Sequence, residues 1–226
     1  MNKSILPPRK FGLAAFWLIG WAAIGYLLLI VAFSLPTARM RSHLESTPGT
    51  FSNGSVVLVK DDTSTHLDYL TEATILSEAI YDGDESAFTK AAAIYSIIPP
   101  SDETLNWSYA KLTAALSSNR DAAYGAYARY WQGQNAILRP LLLLFDYKDI
   151  LRLNMLIQLG LMLWIAYLLP RRQLGYLLLP FVILFGALTP AATSLCLQYT
   201  PCFLIMAGGC AFLLCYPDAV KKHPWL

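Results

Sequence analysis

The sequence predicts an all-α membrane protein with four transmembrane helices and an extracytoplasmic, mainly helical domain inserted between helices 1 and 2. Three observations carry this. Phe11–Leu35 contains no charged side chain and follows directly on Lys3, Arg9 and Lys10. Three further apolar segments lie beyond residue 150. The charges crowd between these regions: residues 36–139 hold 12 of the 15 acids and 8 of the 17 bases. Over the whole chain 56% of residues are hydrophobic and 14% charged, against roughly a quarter charged in soluble domains.

The first span is assigned to residues 11–35, after a cytoplasmic N-terminus over 1–10. At about 1.5 Å per residue, roughly 20 apolar residues cross a ~30 Å hydrocarbon core. The apolar run exceeds the ~7–15 residues of a secretory signal, and Ser34-Leu35-Pro36-Thr37-Ala38-Arg39 is a poor cleavage site, so an uncleaved anchor is expected. The other spans are 153–169, ending at Pro170-Arg171-Arg172; 174–195, with Pro180 and Pro190 inside; and 197–216, before a cytoplasmic tail over 217–226. Each internal proline removes a backbone donor and predicts a kink. Ala207-Gly208-Gly209 offers a surface for close helix approach, and Asn154 and Gln158 are expected to hydrogen-bond between helices. With the N-terminus inside, four passes put Lys3, Arg9 and Lys10, then Arg171 and Arg172, then Lys221 and Lys222 in the cytoplasm, as the positive-inside rule requires.

Residues 36–135 form the outer domain. Asn53-Gly54-Ser55 leads into Val56–Val59, read as a short strand or extended segment. Apolar spacing then predicts helices over His66–Tyr81, capped by Ser64 or Thr65; over Asp84–Ile98, ended by Pro99-Pro100; and over Ser101–Ser117, capped by Ser101 with Asp102 and Glu103 in its first turn. Tyr124, Tyr127, Tyr130 and Trp131 suit a return to the headgroup level. Residues 136–152 are read as an interfacial segment, because the run from Ala136 to Phe145 is too short to span. The competing assignment makes 136–145 one end of the second span. It sets Asp146, Lys148, Asp149 and Arg152 at membrane depth, at about 3 kcal/mol each unless paired.

A net charge of +2 gives no electrostatic footprint for a nucleic-acid partner. All four cysteines lie in or beside the last two spans, which excludes an intrachain disulfide framework for the loop. His43, His66 and His223 are isolated, so neither a metal centre nor any cofactor is implied.

Tyr127-Ala128-Arg129-Tyr130-Trp131-Gln132-Gly133, with Arg139-Pro140-Leu141-Leu142 and Arg152-Leu153-Asn154-Met155, resembles a group of bacterial multi-pass membrane proteins of uncharacterised function. In that group a Tyr-Trp-His-Gly-type stretch leads into Arg-Pro-Leu-Leu; here Gln132 stands at the histidine position. His66-Leu67-Asp68-Tyr69-Leu70-Thr71-Glu72 is similar too, and the resemblance covers residues 60–215. Members tend to be longer, which implies a truncated or split member here. The order of one span, a large outer loop and further spans also resembles the start of GT-C-type glycosyltransferases that use polyprenyl-phosphate sugars. That resemblance implies an acidic base in the first outer loop. Asp61, Asp62, Asp68 and Glu72 are the candidates, and Asp68 and Glu72, four apart, share a helix face. It also implies a lipid phosphate held by Arg139 or Arg152.

Each residue has a plainer role. Asp61-Asp62 can mark a solvated helix entrance, Asp68 and Glu72 can serve the helix dipole, and Arg139 and Arg152 can anchor at headgroups or pair with Asp146 and Asp149. Three classes follow: a glycosyltransferase-like protein facing a lipid-linked sugar, a non-catalytic scaffold whose outer domain binds an envelope protein, and a transporter subunit. The last is disfavoured because no charged residue lies inside the spans. The bacterial cytoplasmic membrane, with both termini cytoplasmic, is the expected location.

Overall fold

The computed structural model describes residues 8–52, 56–98, 106–117, 123–127 and 132–218. Lys3, the Asn53-Gly54-Ser55 turn, Pro99-Pro100, the Ser101 cap, Tyr130, Trp131, Lys221 and Lys222 lie outside them. The chain is mostly helical, and among the described residues three helices are long and apolar enough to cross a membrane. The first is α1 (Pro8–Phe33), whose span begins at Gly12; the second is α7 (Tyr147–Arg171); the third is α10 (Thr200–Cys215) with the turn before it. Their outer surfaces are apolar and bare: Leu18 is 74% exposed and Ile205 76%. Apolar surface on this scale suits lipid rather than water as the surrounding medium.

The expected helix over 174–195 is not continuous. A short turn at Gly175–Leu177 leads into α8 (Leu178–Ala187), and α9 (Pro190–Leu195) follows after a break. Thr189 has φ of 46°, in the left-handed region, and Pro190 opens α9 without an N–H to give. The residue before a proline avoids the right-handed helical region, so the break sits where the sequence places Pro190. Gly175–Ala187 alone rises roughly 20 Å, short of a ~30 Å core. Pro180 occupies the first turn of α8, where its missing donor has no intrahelical partner to lose.

The broken segment runs back along α7. Leu174 N–H donates to Leu169 O at one end, and Asn154 Nδ2 donates to Ser194 O (2.9 Å) at the other. Asn154 also reaches Thr200 Oγ1 (2.9 Å), Gln158 Nε2 donates to Thr193 O (3.0 Å), and Thr193 Oγ1 returns a bond to Gln158 Oε1 (3.0 Å). These two amides tie α7 to α9 and to the start of α10. Ile165, Leu169, Phe185, Phe203, Ala207 and Ala211 fill the space among α7, α8 and α10. Of the small-residue surface only Ala207 packs inward; a side chain added at Gly208 or Gly209 would meet nothing.

Between α1 and α7 lies a body of α2 (Ala38–Leu44), α3 (Tyr69–Ala79), α4 (Ala87–Ala93), α5 (Trp107–Leu116) and α6 (Asn135–Leu144), with two small antiparallel ribbons. Strand β1 (Val56–Val57) pairs with β2 (His66–Leu67), so His66 and Leu67 are extended rather than helical, and α3 begins three residues later than expected. The second expected helix ends early: Ile94, at φ of 45°, leaves α4, and β3 (Tyr95–Ile97) pairs with β4 (Tyr124–Ala126). Helix α5 starts at Trp107, capped by Asn106, whose amide also donates to Phe51 O (2.6 Å) and Ser52 O (2.9 Å). One core joins α2, α3, α5, α6 and the start of α7 through Met40, Leu76, Ile80, Leu112, Leu142 and Ile150. Leu29 and Phe33 of α1 pack on Ala91 and Ile94, fixing the body to the first span.

Candidate functional site

Asp68 and Glu72 share a face of α3, but the two carboxylates do different work. Asp68 is the N-cap: its Oδ1 accepts from Thr71 N–H (3.1 Å) and its Oδ2 from Thr71 Oγ1 (2.6 Å). Burial opposes its charged form, yet these bonds prevail and hold its pKa below the usual carboxylate range. Glu72 is fully buried. Its Oε2 accepts from Tyr147 Oη (2.8 Å) and its Oε1 from Gln198 N–H (2.9 Å). Burial raises its pKa to about 7, against the pull of those two donors. A general base must come within about 3 Å of the proton it takes. With no exposure and both oxygens engaged, Glu72 offers no such approach, so the base expected of it is replaced by a buried tie among α3, α7 and the 197–199 turn.

Arg139 likewise departs from expectation. It is 1% exposed, with Nε donating to Ala32 O (2.8 Å), Nη1 to Ala79 O and Nη2 to Leu35 O (3.1 Å), and its guanidinium lies 4.6 Å from the Phe33 ring centre. Burial pulls its pKa down to about 10, so it remains a cation at neutral pH. It serves the carbonyl ends of α1 and α3, where helix dipoles favour positive charge. No face is left for a phosphate. Arg152 keeps its charged end exposed and pairs with Asp149 at 2.6 Å on the first turns of α7. Asp61 and Asp62 stand at a turn, where Asp62 caps Thr63–Thr65 by accepting from Ser64 N–H (3.0 Å). Among the described residues no hydrogen bond or ion pair joins either arginine to Asp68 or Glu72.

A cavity of about 430 Å³, marked by no sequence motif, lies between α3, α5 and the β3–β4 ribbon. Leu70, Ile97, Ile98 and Trp107 give it apolar walls, and Thr74, Ser96, Lys111 and Gln132 supply polar groups. Lys111 Nζ donates to Thr74 Oγ1 at 3.0 Å. Beside it, Glu78 is fully buried, and among the described residues neither of its oxygens accepts a hydrogen bond. Burial raises the Glu78 pKa to about 8, offset in part by the nearby Lys111, while burial lowers that of Lys111. The Ser96 hydroxyl is close enough to Glu78 to favour its charged form, yet makes no well-formed hydrogen bond. One signal was available: Thr71, Thr74 and Glu78 recur at helical spacing on α3, so a carboxylate falls on a stripe that packs inward.

A second, apolar groove of about 220 Å³ lies among α6, α7 and α10, bordered by Ile137, Leu153 and Leu204. Among the described residues no three histidine, cysteine or acidic side chains gather to hold a metal. Comparison with family models, curated proteins and solved structures gives no match to this chain.

Proposed function

We propose that this chain is a non-catalytic multi-pass protein of the bacterial cytoplasmic membrane that works by binding, through the cavity on the body between α1 and α7. That cavity is the observation that carries the reading. Its volume falls in the ~300–1,000 Å³ range of small-molecule sites, and it combines apolar walls with a few convergent polar groups. The saturation of Glu72 and Arg139 by protein groups supports binding over catalysis. In this reading the path from α7 through α8–α9 to α10 completes four passes, both termini are cytoplasmic, and the body faces outward. The positive-inside distribution of Arg171 and Arg172 supports that orientation.

The test is the mass spectrum of small molecules released from protein purified in native-membrane particles. A molecule enriched with the native chain and lost with Ile98→Trp, which fills the cavity mouth, supports the reading. Identical profiles for both proteins overturn it.

The glycosyltransferase-like reading, acting on a polyprenyl-phosphate-linked sugar, draws support from Asp68, half-exposed at the head of α3, and from the exposed Arg152. It requires Asp68→Asn to abolish sugar turnover while abundance and topology stay unchanged. The scaffold reading draws on the exposed Leu70, Ile98 and Trp107 of the cavity lining as a contact for an envelope protein.

A further inference from the structure

The apolar groove among α6, α7 and α10 has walls that polar ties hold in place on both sides. On one side Ala136 packs on the Leu29 and Phe33 cluster of α1, and Arg139 fixes α6 to the Ala32, Ala79 and Leu35 carbonyls. On the other, Asn154 Nδ2 joins α7 to Ser194 O and to Thr200 Oγ1, both at 2.9 Å. These ties set the spacing of the walls. Between them Ile137, Leu141, Leu153, Ile157 and Leu204 border a space of about 220 Å³. Ile137 is 68% exposed on the α6 wall.

An unfilled apolar space forfeits the dispersion contacts of the atoms that line it, so an occupant is favoured. Water is a poor one, because an enclosed water needs two to four polar partners. Of the polar side chains in the lining, Asn154 and Thr200 bond each other and Gln134 donates to Gln132 Oε1. A partner helix, about 10 Å across, is too thick to enter. Hydrocarbon fits. Ile157 both lines the groove and belongs to the exposed apolar surface of α7, a helix long and apolar enough to cross a membrane. From Ile150 to Ile157 the lining rises roughly 10 Å along α7, most of a ~15 Å leaflet.

We infer that this groove is a lipid site that seats one acyl chain of a membrane phospholipid, against Ile137 and Leu141 on one wall and Leu153, Ile157 and Leu204 on the other. The chain is held without selection of the headgroup. Among the described residues no charged side chain lines the groove, and on α7 Lys148 and Arg152 fall on the face opposite Ile150, Leu153 and Ile157. The site is separate from the cavity on the body, so either can fail alone.

The full chain in phosphatidylcholine nanodiscs, doped with a phosphatidylcholine that carries a diazirine on one acyl chain, tests this. After irradiation and peptide mapping, Ile137, Leu141, Leu153 and Ile157 should be labelled severalfold more than Leu156 and Ile205, exposed apolar residues outside the groove. Leu153→Trp and Leu204→Trp fill the groove from α7 and from α10. Each should lower its labelling to the outer level and leave Leu156 and Ile205 unchanged, the latter showing that the spans are intact. A phosphatidylglycerol probe with the same chain should give the same pattern. Even labelling of the groove and the outer positions in the native chain would overturn the site, whatever the variants do. Groove labelling that survives both tryptophan variants would overturn it as well. Labelling by the phosphatidylglycerol probe alone would overturn the chain as the recognised group and point to the headgroup instead.

Discussion

Tyr147 donates its phenolic hydrogen to Glu72 Oε2 at 2.8 Å, with both side chains closed to solvent. Gln198 N–H holds the other oxygen, so one carboxyl group joins α3 to the head of α7 and to the turn that leads into α10. Replacing Tyr147 by Phe leaves a buried acceptor one donor short. The expected loss is about 1–3 kcal/mol, read as a lower melting temperature by tryptophan fluorescence in nanodiscs. An unchanged melt would mean that the contact contributes little.

Stability should fall as pH rises from 5 to 8. Folded Glu72 and Glu78 hold their protons to about pH 7 and 8, while the unfolded chain releases them near 4.5. Over that window the folded state binds more protons. Their contribution is therefore fully present below 4.5 and is lost as pH climbs through the folded values. Each group adds a slope of roughly 1 kcal/mol per pH unit within its own window. Glu78→Gln should flatten the upper part of the profile. A native profile that rises between pH 5 and 8 would contradict the burial of both groups.

Arg139→Gln should cost about 3 kcal/mol, since it takes a donor from the Ala32, Ala79 and Leu35 carbonyls and removes the cation that serves two helix ends. Limited proteolysis should then cut the body between α1 and α7 while sparing the spans. A digestion pattern identical to the native one would show that the carbonyls find other partners.

Asp68→Ala should cost about 1 kcal/mol through loss of the α3 cap, and Asp68→Asn only a few tenths, because asparagine caps as well as aspartate. Thermal melts of the two variants distinguish capping from a charge-dependent role. Equal losses in both would point to the charge.

Asn154→Leu should loosen α9 from α7 by about 1 kcal/mol, the range of interhelical bonds within membranes. Faster hydrogen exchange at Thr193 and Ser194 is the readout. Unaltered exchange there would mean that packing alone holds α9.

The apolar stretches of α1, α7 and α10 were legible from length and apolarity alone, although α7 starts at Tyr147, inside the segment expected to be interfacial, and Asn154 and Gln158 stood out as polar residues in apolar surroundings. The break at Thr189 was signalled by Pro190, yet nothing local distinguishes a kink from a full interruption. The β3 strand was hidden because Phe88, Ala91, Tyr95 and Ile98 satisfy a helical period, while the partner strand at Tyr124–Ala126 lies far along the chain. The contacts of Arg139 were not legible because its acceptors are backbone carbonyls, which every residue carries. Lys111 and Glu78 left a weaker trace, one acid on an inward stripe of α3. Their proximity is a tertiary fact.

The guanidinium of Arg139 closes on carbonyls 107, 60 and 104 positions earlier in the chain. A ribosome making this protein has long since delivered the first helix to the membrane when that arginine emerges. Until then the ends of α1 and α3 lack the guanidinium that joins them, and the region between stays open to proteases and chaperones. Maturation of the body is therefore timed by translation of α6, and a transcript cut short before codon 139 yields an anchored but unfinished product.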